Sequence, residues 1–184
     1  MCTLLVVDNG SVYTKNLSEF LSKKEIKFST IPFFELKFSQ TSQFDSIILS
    51  GRRKNDKEMN ALNSKIIKYA VLENKSLLGI CYGAEILALT LGGTIRKTNE
   101  PYQGEQEVTI LKKNPLCSGK IRVFESHNYE ISRLNSKFYS VAKSNNCLYE
   151  IVQYGDSNIF GTQFHPEMSN DGQAIIESFV SIRS

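Results

Sequence analysis

The 184-residue chain carries 22 Lys and Arg against 19 Asp and Glu, a net charge of +3, with 41% hydrophobic and 22% charged residues. That balance fits one globular domain with ample core, and the charge is too small to point to nucleic acid or a membrane surface. No apolar run approaches the ~18 residues of a spanning helix, and Met1-Cys2-Thr3-Leu4 lacks the basic region of a secretory leader, so a cytoplasmic chain is expected.

Leu4-Leu5-Val6-Val7 is an unbroken apolar run closed by the turn signal Asp8-Asn9-Gly10, the pattern of a first strand buried on both faces. Ser11 is placed to cap a helix containing Leu17, Phe20 and Leu21. Lys27 to Ile31 predicts a second strand closed by Pro32, and residues 33–43 predict an irregular connection. Ser46-Ile47-Ile48-Leu49 predicts a third strand. A polar loop, Gly51 to Lys57, leads to a helix with Met59, Leu62, Ile66 and Tyr69 at helical spacing. Leu77 to Ile80 predicts a fourth strand, and Gly83 onward a helix with Ile86, Leu87 and Leu91 on roughly one face. Strands alternating with helices predict an α/β fold: three layers, with a central mostly parallel sheet between flanking helices.

After Gly92-Gly93 the character changes. Thr94–Lys97, Glu107–Leu111, Ile121–Phe124 and Phe138–Ala142 predict short strands, partly antiparallel. Leu148–Tyr154 and Asn158–Phe164, split by Gly155-Asp156-Ser157, predict a hairpin. A last helix is predicted from about Gly172 to Ile182, with Ile175, Phe179 and Ile182 turned inward. No repeat, low-complexity tract or linker divides the chain, so one domain over residues 1–184 is expected.

Cys81 falls where the fourth strand turns into its helix, between Gly79 and Gly83. This G-x-C-x-G is the thiol counterpart of the G-x-S-x-G nucleophile elbow, in which glycines leave room for a tight, strained turn. The helix N-terminus beside it would lower the thiol pKa and favour the reactive thiolate. Taken alone, a cysteine at a strand end also reads as a small buried hydrophobe. Cys2, Cys81, Cys117 and Cys147 have no paired spacing and are expected as free thiols, all but Cys81 inert. No C-x-x-C or histidine cluster predicts a metal site. The chain has two histidines, His127 and His165. His165-Pro166-Glu167 offers a base with a carboxylate two residues on, placed to fix its tautomer, so Cys81, His165 and Glu167 form a candidate triad in chain order.

On these residues the chain resembles the class I, triad-type glutamine amidotransferases. Gly79-Ile80-Cys81-Tyr82-Gly83 matches the family's nucleophile motif, and Gly161 to Glu167 its G-x-Q-F-H-P-E motif. Val7 to Tyr13, Ile48-Leu49-Ser50-Gly51 and Glu125 to Glu130 look like the corresponding stretches of GMP synthase amidotransferase domains, and the length resembles the separate subunit of archaeal enzymes. The resemblance implies a flavodoxin-like fold and hydrolysis of L-glutamine through a cysteinyl thioester, with ammonia passed to an ATP-dependent synthetase of the GMP synthase ATP-pyrophosphatase type. It implies no cofactor in this chain, ATP and Mg belonging to the synthetase. It further implies Tyr82 and Gly51 as oxyanion N–H donors, and Glu85, Ser126, His127 and Asn128 beside the substrate.

Two positions depart from the family. Ser50-Gly51-Arg52-Arg53 stands where Ser-Gly-Gly-Pro is usual, in the loop expected to supply an oxyanion donor, and losing such a donor costs ~100 to 1000-fold in rate. Glu85 stands where the family usually has Gln, and a carboxylate suits the substrate's ammonium. Three other readings follow: an amidotransferase for another acceptor (aminodeoxychorismate or anthranilate type), a γ-glutamyl hydrolase, or a non-catalytic regulatory subunit of the same fold. His127 also reads as an ordinary loop histidine and Tyr82 as pocket wall. Arg52-Arg53-Lys54 reads as a solvated loop or as a contact for a partner or acidic ligand.

Overall fold

The central apolar runs are continuous because the strands that contain them are covered on both faces. In the computed structural model, which describes residues 3–182, β1 (Leu4–Asn9), β3 (Ser46–Arg52) and β4 (Ser76–Ile80) lie side by side. Successive side chains point to opposite faces of a sheet. Leu4, Val6, Ile48, Leu78 and Ile80 therefore pack with Leu17 and Leu21 of α1 (Thr14–Lys23) and with Ile175, Ile176 and Phe179 of α4 (Asn170–Ser181). Leu5, Val7, Ile47, Leu49 and Leu77 pack on the other side with Met59, Ile66 and Ile67 of α2 (Lys57–Leu72) and Ala84, Leu87 and Ala88 of α3 (Tyr82–Thr90). Helix, sheet and helix make the three layers.

The remaining strands are β2 (Phe28–Pro32), β5 (Thr94–Ile110), β6 (Lys120–Arg133), β7 (Phe138–Lys143), β8 (Ile151–Tyr154) and β9 (Ile159–Thr162). The nine-stranded sheet runs β2-β1-β3-β4-β9-β8-β7-β5-β6. It is parallel from β2 to β9, with Gly79 of β4 opposite Gly161 of β9. From β9 to β6 it is antiparallel. β9 is thus the seam, paired parallel to β4 on one side and antiparallel to β8 on the other.

Several predicted boundaries move, each for a local reason. Ser11 does not cap α1. Its Oγ accepts from the Tyr13 N–H at 3.1 Å in a turn before the helix, and Tyr13 at the N-cap makes no side-chain cap. Part of the irregular connection is a 3-10 turn, Phe38–Gln43. The segment Thr94–Lys97 and all of Glu107–Leu111 but Leu111 itself belong to one 17-residue strand, β5, which pairs with the 14-residue β6. The residues between them are mostly polar and exposed, so hydrophobic period carries no signal there. Leu148 lies outside β8 and is 61% exposed. Ile182 follows α4 rather than ending it, yet packs against the core.

Candidate active site

The chain leaves β4 and enters α3 through a single residue. Cys81 has φ +51° and ψ −105°, a conformation that L-residues adopt only under constraint. The constraint comes from two glycines. A Cβ on Gly79 would lie 2.4 Å from the carbonyl carbon and oxygen of Gly83, and one on Gly83 would lie 2.4 Å from the carbonyl oxygen of Leu49. Strand, turn and helix therefore close together only with bare backbone at both flanks. The Cys81 N–H is tied to the Thr162 carbonyl of β9 at 2.7 Å, and the Cys81 carbonyl accepts from Ala84 and Glu85, both at 3.0 Å, as the first turn of α3. The elbow is clamped on both sides and its thiol faces a cavity of about 840 Å³.

His165 reaches the same cavity from the end of β9. Its N–H donates to the Phe124 carbonyl of β6 at 2.8 Å, and its ring lies 4.6 Å from that of Tyr13. Nδ1 sits 2.9 Å from Glu167 Oε1, with both side chains almost fully buried. Glu167 is carried by a 3-10 turn, Pro166–Met168, which folds the carboxylate back onto the ring two residues earlier. With Nδ1 committed to Glu167, Nε2 is the nitrogen free to exchange a proton at the cavity.

The thiol is not in the state predicted for it. Burial pushes the Cys81 pKa well up, the carboxylates of Glu85, Glu125 and Glu167 push the same way, and the Tyr82 N–H opposes them. Desolvation and nearby anions outweigh the helix N-terminus. Sγ is 3.9 Å from the Ser126 carbonyl oxygen, so the protonated thiol has an acceptor within sulfur range.

Tyr82, Glu85, Ser126, His127 and Asn128 also line the cavity. Glu85 is buried; its Oε1 accepts from Gln163 Nε2 at 3.2 Å. Burial raises its pKa, while the Gln163 bond and the charges of Arg52, His127 and His165 lower it. Ser126 Oγ accepts from the Tyr13 hydroxyl at 3.2 Å. His127 Nδ1 faces the Tyr129 carbonyl at 2.8 Å, and Nε2 lies 3.0 Å from Glu125 Oε2. Both ring nitrogens are thus turned to protein groups, and burial lowers the imidazole pKa. Gly51 is not among the cavity-lining residues. It lies behind His165, where an added Cβ would come 3.0 Å from Cε1. Arg52 and Arg53, from the same segment, do line the cavity, so the basic run is not wholly solvated. Tyr13 stood in the family-like stretch Val7 to Tyr13 and Arg52 in the basic run, but their places at the cavity depend on tertiary packing. Gln163 lay inside the G-x-Q-F-H-P-E motif and was legible there. Cys117 and Cys147 are free thiols, and Cys2 lies outside the described residues. Among the described residues, no group of three or more His, Cys, Asp or Glu is placed to hold a metal ion, and no helix is long and apolar enough to cross a membrane.

A strained elbow thiol and a carboxylate-held imidazole at one cavity are the parts of a cysteine amidohydrolase. The family model for class-I glutamine amidotransferases matches residues 5–182. The chain belongs to this family. The amidotransferase is 31% identical to the glutamine-hydrolyzing GMP synthase subunit of Thermoplasma acidophilum, over 99% of its own length and 93% of the relative's. It is 29% identical to the subunit of the same name from Pyrococcus furiosus, over 97% of each chain. A crystal structure described as that of a putative GMP synthase subunit from Thermoplasma acidophilum superposes with a TM-score of 0.87 at 29% identity, covering 98% of this amidotransferase and 92% of that chain.

Proposed function

We propose that the chain hydrolyses L-glutamine to glutamate and ammonia, and that the ammonia serves a separate ATP-dependent synthetase that makes GMP from XMP. The observation that carries the hydrolysis is the convergence of Cys81 and His165 on one cavity, with His165 Nδ1 held 2.9 Å from Glu167. The synthetase reading is supported by the near-full-length likeness to the GMP synthase subunits. ATP and Mg act on the synthetase; this chain's steps use its own side chains.

In the proposed reaction the Cys81 proton passes to His165 Nε2, and the thiolate attacks the side-chain amide carbon of glutamine. Negative charge moves to the amide oxygen, for which the Tyr82 N–H, at the first position of α3, is the proposed donor. The C–N bond breaks, the imidazolium gives its proton to the leaving nitrogen, and ammonia departs from a γ-glutamyl thioester. Nε2 then takes a proton from water. The hydroxide attacks the thioester carbonyl, and the C–S bond breaks to release glutamate and the thiolate, which regains the proton. Glu167 holds the ring in the required tautomer throughout. Gly51, beside the His165 ring, is the second proposed oxyanion donor.

The test is ammonia release from glutamine, with and without the synthetase, XMP, ATP and Mg. Wild-type release should rise sharply when the synthetase is present, and Cys81→Ala should release none above background under either condition. Unchanged release by the variant would overturn the mechanism, and equal wild-type activity alone would mark an independent hydrolase.

A further inference from the structure

Arg52 is the last residue of β3 and stands at the lip of the cavity. Its guanidinium carbon lies 4.3 Å from the ring centroid of Tyr82, the residue directly after the nucleophile. Nη1 donates to Asn55 Oδ1, and to Asn60 Oδ1 at 3.3 Å. The Tyr82 hydroxyl donates to the same Asn60 oxygen at 2.7 Å, and Asn60 Nδ2 to Asn55 Oδ1 at 3.0 Å. A ring face and two amide oxygens thus fix the position of the cation without neutralising it. Among the described residues no carboxylate lies within ion-pair distance of Arg52. A guanidinium has five N–H donors in a rigid fork, and among the described residues only Nη1 donates, which leaves Nε and Nη2 for an anion.

A carboxyl group lines the same cavity. It belongs to Glu85, one helical turn after Cys81, with Oε1 fixed by Gln163. The site therefore offers three different groups in one space: a nucleophilic sulfur, a held cation and a buried carboxyl. Glutamine carries three matching groups, an amide to break at one end and a carboxylate and an ammonium together at the other. Resting on the glutaminase reading above, we propose that Arg52 binds the α-carboxylate of the substrate, opposite Glu85 at the α-ammonium, so that the two side chains read the amino-acid end of glutamine as a zwitterion. Arg52, standing where the family usually has glycine, is then a specificity-determining residue, and Tyr82, Asn55 and Asn60 are its positioning residues. Arg53 is exposed at the same rim and has no such cradle.

The assignment is tested by deleting groups from the substrate as well as from the protein. The full chain, with its synthetase present, is assayed for ammonia release from L-glutamine, from glutaramate, which lacks the α-ammonium, and from 4-aminobutanamide, which lacks the α-carboxylate. Arg52→Gln should lower kcat/KM for glutamine and glutaramate about 10- to 100-fold, the span expected for a charged hydrogen bond. The loss should fall mainly in KM, and 4-aminobutanamide should be hydrolysed as by the wild type. Glu85→Gln should weaken the two ammonium-bearing amides more than glutaramate. Arg52→Lys keeps the charge without the fork and should fall between wild type and Arg52→Gln for glutamine; its thermal midpoint and that of Arg52→Gln show whether each variant is folded. Equal losses on all three amides in folded Arg52 variants would overturn the assignment while leaving the glutaminase reading intact. If the wild type releases ammonia from none of the three, both readings fall.

Discussion

His127 and His165 are the only histidines in the sequence, and the fold gives them different surroundings. One has a ring nitrogen turned to the cavity and a carboxylate on the other. The second has protein groups at both nitrogens, so it shapes the wall without serving as a base. Replacing the group behind the proposed base tests this division. Glu167→Gln should keep the shape but favour the wrong tautomer of His165, lowering kcat for glutamine hydrolysis by ~100 to 10,000-fold with little change in KM. Steady-state kinetics of the folded variant decides it, and a change confined to KM would remove Glu167 from the chemistry. At this scale the triad was legible because each part sits in a short local motif. The raised thiol pKa was not, because burial sets it first, and of the three carboxylates that add to it only Glu85 is local while Glu125 and Glu167 come from other segments. Nor was the seat of Arg52, which depends on the ring of Tyr82 and on two asparagines flanking the start of α2.

The strand-elbow-helix unit, β4 with α3, tolerates little change at its two glycines. Gly83 sits against backbone, and backbone cannot rotate out of the way as a side chain can. Gly83→Ala should therefore cost at least about 1–3 kcal/mol, as overpacking does. For a chain of this size that is about 2–4 °C in thermal midpoint per kcal/mol, read by circular dichroism. A variant melting like the wild type would contradict the 2.4 Å approach to the Leu49 carbonyl. The parallel strands were legible because burial on both faces writes an unbroken apolar run. The β5–β6 ribbon was not: the middle of β5 is exposed or half-buried, and in β6 the buried positions pass from Ile121 and Val123 to the polar Glu125 and His127, so the long strands broke into short predicted pieces. Its register also slips between Lys97 and Tyr102, opposite Asn128, so no simple period could describe it.

Across the whole molecule, buried carboxyl groups set the response to acid. Burial, above all, pushes Glu125 up to about 7, and raises Glu150 and Glu85 as well. Such a group keeps its proton in the fold at pH values where the unfolded chain has lost it. Between about pH 4.5 and 7 the folded state binds more protons, so stability falls as pH rises through that window. His127 acts with the opposite sign: its lowered pKa costs stability as pH falls below 6.5. Three carboxyl groups against one imidazole leave the acid side favoured. The thermal midpoint should be higher near pH 5.5 than near pH 8, and Glu125→Gln should narrow that difference by removing the group that must ionise. An unchanged difference in the variant would show that Glu125 keeps its ordinary pKa.

The seam at β9 has a consequence in time. The strand that carries His165 slots in beside β4, which leads into the elbow, although all of β5 to β8 is made between them. A polypeptide emerging from a ribosome shows its sulfur early and its imidazole late. Until residues 159–162 have docked, the elbow lacks His165 and Glu167, so the proposed triad is complete only when the end of the chain is in place.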